Sequence, residues 1–205
     1  MKSRLLPAYE KSVFINCPFD RQYENLMLAL VFSVAAHGLV PRSAQETEGD
    51  PEPRFARVLQ LISSCKYSIH DISRSKGEGA ENLGRFNMPL ELGMAAAFRF
   101  EREGSGRPHR WLALVPEGYG YQQFISDLAG FDPARHDSSV PSIIREASAW
   151  LRTLDDALES APSAADVLRA FSAFRDQVAR LRTEALDKRI WADILLAASR
   201  TVPRT

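Results

Sequence analysis

Short apolar runs alternate with longer segments of helical periodicity along the first two thirds of the chain. Ser12 to Asn16 (SVFIN) is a β-prone run that stops at Cys17-Pro18, and Asp20 is placed to cap a helix reaching about His37, with Gly38 ending it. Leu39 to Arg42 is a second candidate strand, followed by SAQETEGDPEP, a polar loop rich in turn residues. Phe55, Val58, Leu59 and Ile62 then recur at helical spacing, and KYSIHD supplies a third strand closing on Asp71. The glycine-bearing loop SRSKGEGAENLG leads into RFNMPLELGMAAAF, where Met88 to Phe98 are apolar nearly all round and predict a buried helix. RWLALV is the fourth strand and ends at Pro116. Strands alternating with helices predict an α/β, flavodoxin-like parallel sheet with helices on both faces, occupying residues 1–139.

Beyond that point the pattern becomes helical. SIIREASAWLRTLDDALES and the segment Ala164 to Leu186 both read as helices, the second starting at a Ser163 cap with Asp166 three residues on. Val167, Leu168, Phe171, Phe174, Val178 and Leu181 form one apolar stripe along it, suited to packing on the domain or on a second subunit. Residues 140–205 are thus expected to be a helical C-terminal extension, with a homo-oligomer as one consequence.

Composition narrows the choice. The chain has 205 residues, 45% hydrophobic, enough for one sizeable core. Lys+Arg and Asp+Glu both number 26, so no overall positive field draws in nucleic acid or an anionic membrane. The start of the sequence lacks an apolar signal core and no run approaches the length of a membrane span, which predicts a cytoplasmic protein. Cys17 and Cys65 lie far apart without a CxxC, and His37, His70, His109 and His136 lack metal-ligand spacing, so neither a metal nor a cofactor is expected. Gly77, Gly79 and Gly84 form neither a Walker A loop nor a dinucleotide fingerprint, and read as a flexible lid.

Candidate chemistry centres on Glu91, a lone carboxylate in the apolar helix. With Asn87 as N-cap and Pro89 in the first turn, Glu91 falls about one turn in, near the positive end of the helix dipole. That dipole contributes about 0.3–1 kcal/mol, whereas burying an unpaired charge costs several kcal/mol. Arg74, Arg85 or a ligand should therefore face it. Ligands of an open parallel sheet bind beyond the carboxyl ends of the strands. Asn16, Asp71, Arg74 and Glu91 are accordingly expected to share one crevice, with Pro18 and Phe19 of CPFD lining its other wall.

The successive motifs FINCPFD, IHDISR, RFNMPLELG and YQQFISDLAG resemble those of a group of short bacterial proteins. These are similar in turn to the nucleoside 2-deoxyribosyltransferase-like and TIR-like superfamily. The likeness to the short proteins runs from about Ser12 to Leu151. The wider link rests on an Asp ending the third strand and an E-L-G opening the next helix. The resemblance implies that Glu91 is the catalytic carboxylate, acting as nucleophile or as support for N-glycosidic cleavage, and that Asp71 holds the polar position opposite. It also implies a nucleoside or nucleotide ligand, with NAD as one substrate and no resident cofactor. Arg74 and Arg85 would then meet phosphates, and Asn16, Pro18, Phe19 and Asn87 would contact the substrate. Two other readings stay open: a nucleotide sensor without turnover, and an interaction module that keeps the fold without the activity.

Overall fold

The computed structural model describes residues 8–47, 51–74, 86–118, 120–123, 125–128, 130–184 and 190–202. Five strands, β1 (Ser12–Asn16), β2 (Val40–Arg42), β3 (Tyr67–Asp71), β4 (Arg110–Pro116) and β5 (Ala134–His136), form one sheet in the order β2-β1-β3-β4-β5. Every pairing is parallel. The helices are α1 (Glu24–Ala36), α2 (Arg54–Ser63), α3 (Asn87–Glu101), α4 (Val140–Leu151), α5 (Ala164–Glu184) and α6 (Ile190–Thr201). The fold is α/β and flavodoxin-like, and its strand order reverses between β1 and β3, where a crevice opens at the carboxyl edge.

Alternation along each strand divides two cores. Val13, Ile15, Tyr67, Ile69, Leu112 and Leu114 point to the side covered by α1 and α4. Phe14, Trp111, Ala113 and Val115 point to the other side, against Val58, Leu61 and Ile62 of α2 and Met88, Leu92 and Ala95 of α3. Register places Asn16 beside His70 and Phe14 beside Ser68, so these four residues share the α2–α3 face.

Several expectations change in detail. Asp20 does not cap α1; its Oδ1 accepts the backbone N–H groups of Gln22 and Tyr23, both at 3.0 Å, and forms a turn ahead of a helix that begins at Glu24. Gly38 does end α1, at φ +76°, and the space a Cβ would need there is filled by Leu158, whose Cγ lies 2.6 Å from that position. β5 was not foreseen, because three residues, Ala-Arg-His, carry no readable periodicity.

The helix buried on all sides is α1, not α3. Most of the apolar stripe of α5 packs inside the chain: Val167, Phe171, Phe174 and Val178 are buried against α1 and α4, Leu181 is partly buried and Leu168 stays exposed, and Phe174 stacks on Phe32 with ring centroids 4.7 Å apart. Its start is the expected reciprocal cap, with the Ser163 N–H donating to Asp166 Oδ2 at 3.0 Å and the Asp166 N–H to Ser163 Oγ at 3.2 Å. Helix α4 packs directly on α1, so it belongs to the layer covering the sheet although it begins at residue 140. On the other face α3 buries Met88, Glu91, Leu92 and Ala95 but leaves Phe86, Leu90 and Phe100 exposed, since no described element forms a further layer there. Among the described residues, no helix is long and apolar enough to cross a membrane.

Candidate functional site

Where β1 ends and α2 and α3 begin, a cavity of about 300 Å³ is lined by Asn16, Cys17, Pro18, Phe19, Asp20, Arg54, Asn87, Met88 and Glu91. Its position is the one topology prescribes: the chain leaving β1 forms one wall, and the first turns of the helices that follow β2 and β3, the two strands flanking β1, form the other. Asn16, Pro18, Phe19, Asn87 and Glu91, all expected at the site, are thus brought together.

Glu91 is 7% exposed. Among the described residues its charged neighbour is Arg54, with Nη2 3.7 Å from Glu91 Oε1 and a side chain 56% exposed. A mostly hydrated cation at that distance compensates poorly for lost hydration. Burial accordingly raises the Glu91 carboxyl from 4.5 to about 7, against the opposing pull of Arg54. Phe86, not Asn87, precedes the first helical residue, and no side chain caps α3. Asn87 is therefore not spent on capping and lines the cavity instead.

Asn16 is held by two bonds. Its Nδ2 donates to Met88 O at 2.9 Å, stitching the end of β1 to the first turn of α3, and its other proton meets His70 Nδ1 at 3.0 Å. Beyond His70 a buried polar chain continues along the sheet. His70 Nε2 lies 2.8 Å from Ser68 Oγ, Ser68 Oγ lies 2.9 Å from His109 Nε2, and His109 Nδ1 lies 2.9 Å from Cys65 O. Burial lowers His70 to about 3 and His109 to about 4, so both rings are neutral at physiological pH.

Asp71, expected to face Glu91, does not line the cavity. It shares the parity of Tyr67 and Ile69, which turns its side chain to the α1–α4 side of the sheet, whereas Asn16 and His70 face α2 and α3. There it is fully buried, accepts from the Tyr23 hydroxyl and from the Ser73 N–H at 2.8 Å, and lies 3.1 Å from His136 Nε2. The His136 approach is close but not in line for a hydrogen bond. His136 Nδ1 accepts the Ser138 N–H at 3.1 Å, and Ser138 adopts φ +63°. Asp71 therefore ties the end of β3 to Tyr23, just ahead of α1, and sits beside His136 of β5. Its field and that of Glu91 both reach Cys17, whose thiol is held well above its usual range, first by burial and then by these carboxylates.

Arg74 also stands apart. It donates to Asp20 Oδ2 at 2.7 Å and to Gln22 Oε1 at 3.2 Å, and lines a second hollow of about 340 Å³ with Gln22, Tyr23, Asn25, Leu26, Ser73, Ser138 and Val140. Asp20 borders the Glu91 cavity while its partner Arg74 borders this one. Arg85 and the glycines 77, 79 and 84 lie outside the described residues. Among those described, no group of three or more His, Cys, Asp or Glu could hold a metal ion.

Arg54 was not foreseen at the site. Its signal was positional: it opens the helix after β2, and helix starts flank the crevice of such a sheet. The His70–Ser68–His109 chain has no metal-ligand spacing; its signal is that Ser68 and His70, two apart on a strand, share a face. Compared with known proteins, the chain matches no family model and no curated relative.

Proposed function

We propose that this cavity binds a nucleoside or nucleotide and that Glu91 serves as the carboxylate in cleaving or transferring its N-glycosidic bond. The observation that carries the reading is Glu91 itself: a carboxylate 7% exposed, facing a cavity of about 300 Å³, with a mostly exposed arginine 3.7 Å away as its charged neighbour. Such a group is expensive to keep and gains most when a cation arrives beside it. Breaking a C–N glycosidic bond creates that cation. The electron pair leaves with the base, which takes up a proton from water or, where it is already cationic as the nicotinamide of NAD is, departs neutral without one, and positive charge develops on the sugar ring. Glu91 then stabilises the charge or bonds to the anomeric carbon until water or another acceptor replaces it. Phe19, 38% exposed on the cavity wall, offers a ring face for the base, and Arg54 at the rim offers a guanidinium for a phosphate.

The test is release of free base, followed by chromatography, from NAD, nucleoside monophosphates and deoxynucleosides incubated with the protein and with Glu91→Gln. Release by the first and not the second supports the reading. Thermal stabilisation by a nucleotide without release would favour the sensor, because a ligand bound only by the native state raises apparent stability. Neither effect with any of these compounds would overturn both.

A further inference from the structure

We propose that His70 is a positioning residue that, together with the Met88 carbonyl, holds Asn16 so that its side-chain oxygen is presented to the cavity, where the site takes a sugar hydroxyl and turns a phosphate away. The orientation stands on geometry; the identity of the ligand group rests on the nucleoside reading above.

The orientation follows from one fixed point. Met88 O can only accept, so the Asn16 group 2.9 Å from it must be the amide NH2. The second proton of that NH2 goes to His70 Nδ1, which must then be bare, leaving the ring proton on Nε2. Nε2 donates to Ser68 Oγ, the Ser68 hydroxyl donates to His109 Nε2, and His109 Nδ1 donates to Cys65 O. Every link forces the next, and all run in one sense. Neutral imidazoles keep that sense across physiological pH. Turning Asn16 over would set two acceptors against each other at Met88 and strip His70 Nδ1 of its donor.

Both amide protons being committed, Oδ1 is the polar atom of Asn16 left for the cavity, and no described residue donates to it. Glu91 lines the same cavity and, ionised, adds further oxygen acceptors to it. A hydroxyl satisfies such a wall by donating; a phosphate meets acceptor against acceptor. The sugar therefore enters beside Asn16 and Glu91, and any phosphate stays outside, toward Arg54.

Two measurements test this. The first is NMR of the protein without ligand: the Asn16 side-chain amide protons should exchange slowly, and His70 should carry its proton on Nε2 from pH 5 to 8. The second is calorimetric binding of adenosine, 2′-deoxyadenosine and 2′,3′-dideoxyadenosine. In the unmodified protein, loss of the hydroxyl that Asn16 accepts should weaken binding at least about tenfold, and inorganic phosphate should not displace adenosine. His70→Phe should reduce that discrimination to under about threefold and expose the Asn16 amide to exchange. Ser68→Ala, smaller and outside the cavity, should do the same and serves if His70→Phe does not fold. Fast exchange of Asn16 in the unmodified protein, or full discrimination retained in these variants, overturns the positioning role. Binding indifferent to the hydroxyls overturns the ligand assignment alone. No binding of any nucleoside, with Asn16 still protected, overturns the nucleoside reading together with that assignment.

Discussion

Replacing Glu91 by Gln should make the protein more stable at alkaline pH and, under the proposed function, slow base release. Glu91 titrates at about 7 in the fold against an ordinary 4.5, so between those values the folded chain keeps a proton that the unfolded chain has released. Stability is then greatest below about pH 4.5, falls as pH rises through the window, and levels off above about 7. At about 1.4 kcal/mol per pH unit the interval amounts to roughly 3 kcal/mol. Gln keeps the shape of the side chain and carries no such penalty. Urea denaturation at pH 4.5, 6 and 8.5 should therefore show the variant close to the unmodified protein at the first pH and up to about 3 kcal/mol more stable at the last. In a chain of this length that corresponds to a rise in Tm of roughly 6–12 °C. Base release measured on the same preparation should fall about 10²-fold or more. A variant less stable than the parent at pH 8.5 would refute the reasoning, because it would mean that Arg54 and the site hold the anion at a net gain.

Other outcomes follow from the same contacts. If the ionised Glu91 is the working form, kcat/KM for base release should rise with pH through about 7 and reach a plateau, and a profile falling over that range would contradict it. Gly38→Ala should lose roughly 1–3 kcal/mol by thermal or urea denaturation, since alanine is strained at φ +76° and its methyl would meet Leu158. Phe174→Ala should lose about 3–5 kcal/mol in one cooperative transition, because the ring is fully buried on Phe32; a separate early transition of the C-terminal helices would show instead that they are an independent unit.

These strands were readable because each is an apolar run closed by a polar residue or a proline: SVFIN, YSIHD and RWLALVP match β1, β3 and β4 closely. The crevice between them was readable from topology, and with it the company of Asn16, Pro18, Phe19, Asn87 and Glu91. Face was harder. Asp71 and Asn16 both end strands, and only the pairing register, which sets Asn16 beside His70, reveals that they point to opposite sides. Burial was misjudged for a related reason. The run Met88 to Phe98 looks more apolar than its surroundings require, whereas the helix that does need apolar residues all round is α1, because α5 and α6 return from far along the chain to cover it. A local pattern does not contain that information.

The unequal covering of the sheet sets where this molecule can breathe. On one side α1 lies beside α4 on the sheet and is covered by α5 and α6, so exposing its amides requires dismantling most of the core. On the other, among the described residues, α2 and α3 form a single layer, and the first turn of α3 is joined to β1 by Asn16. Opening of that layer can proceed as a local event of lower free energy than global unfolding. Amide hydrogens of α3 should accordingly exchange by a route that leaves those of α1 untouched, and a molecule seated beside Glu91 should slow exchange in α3 first.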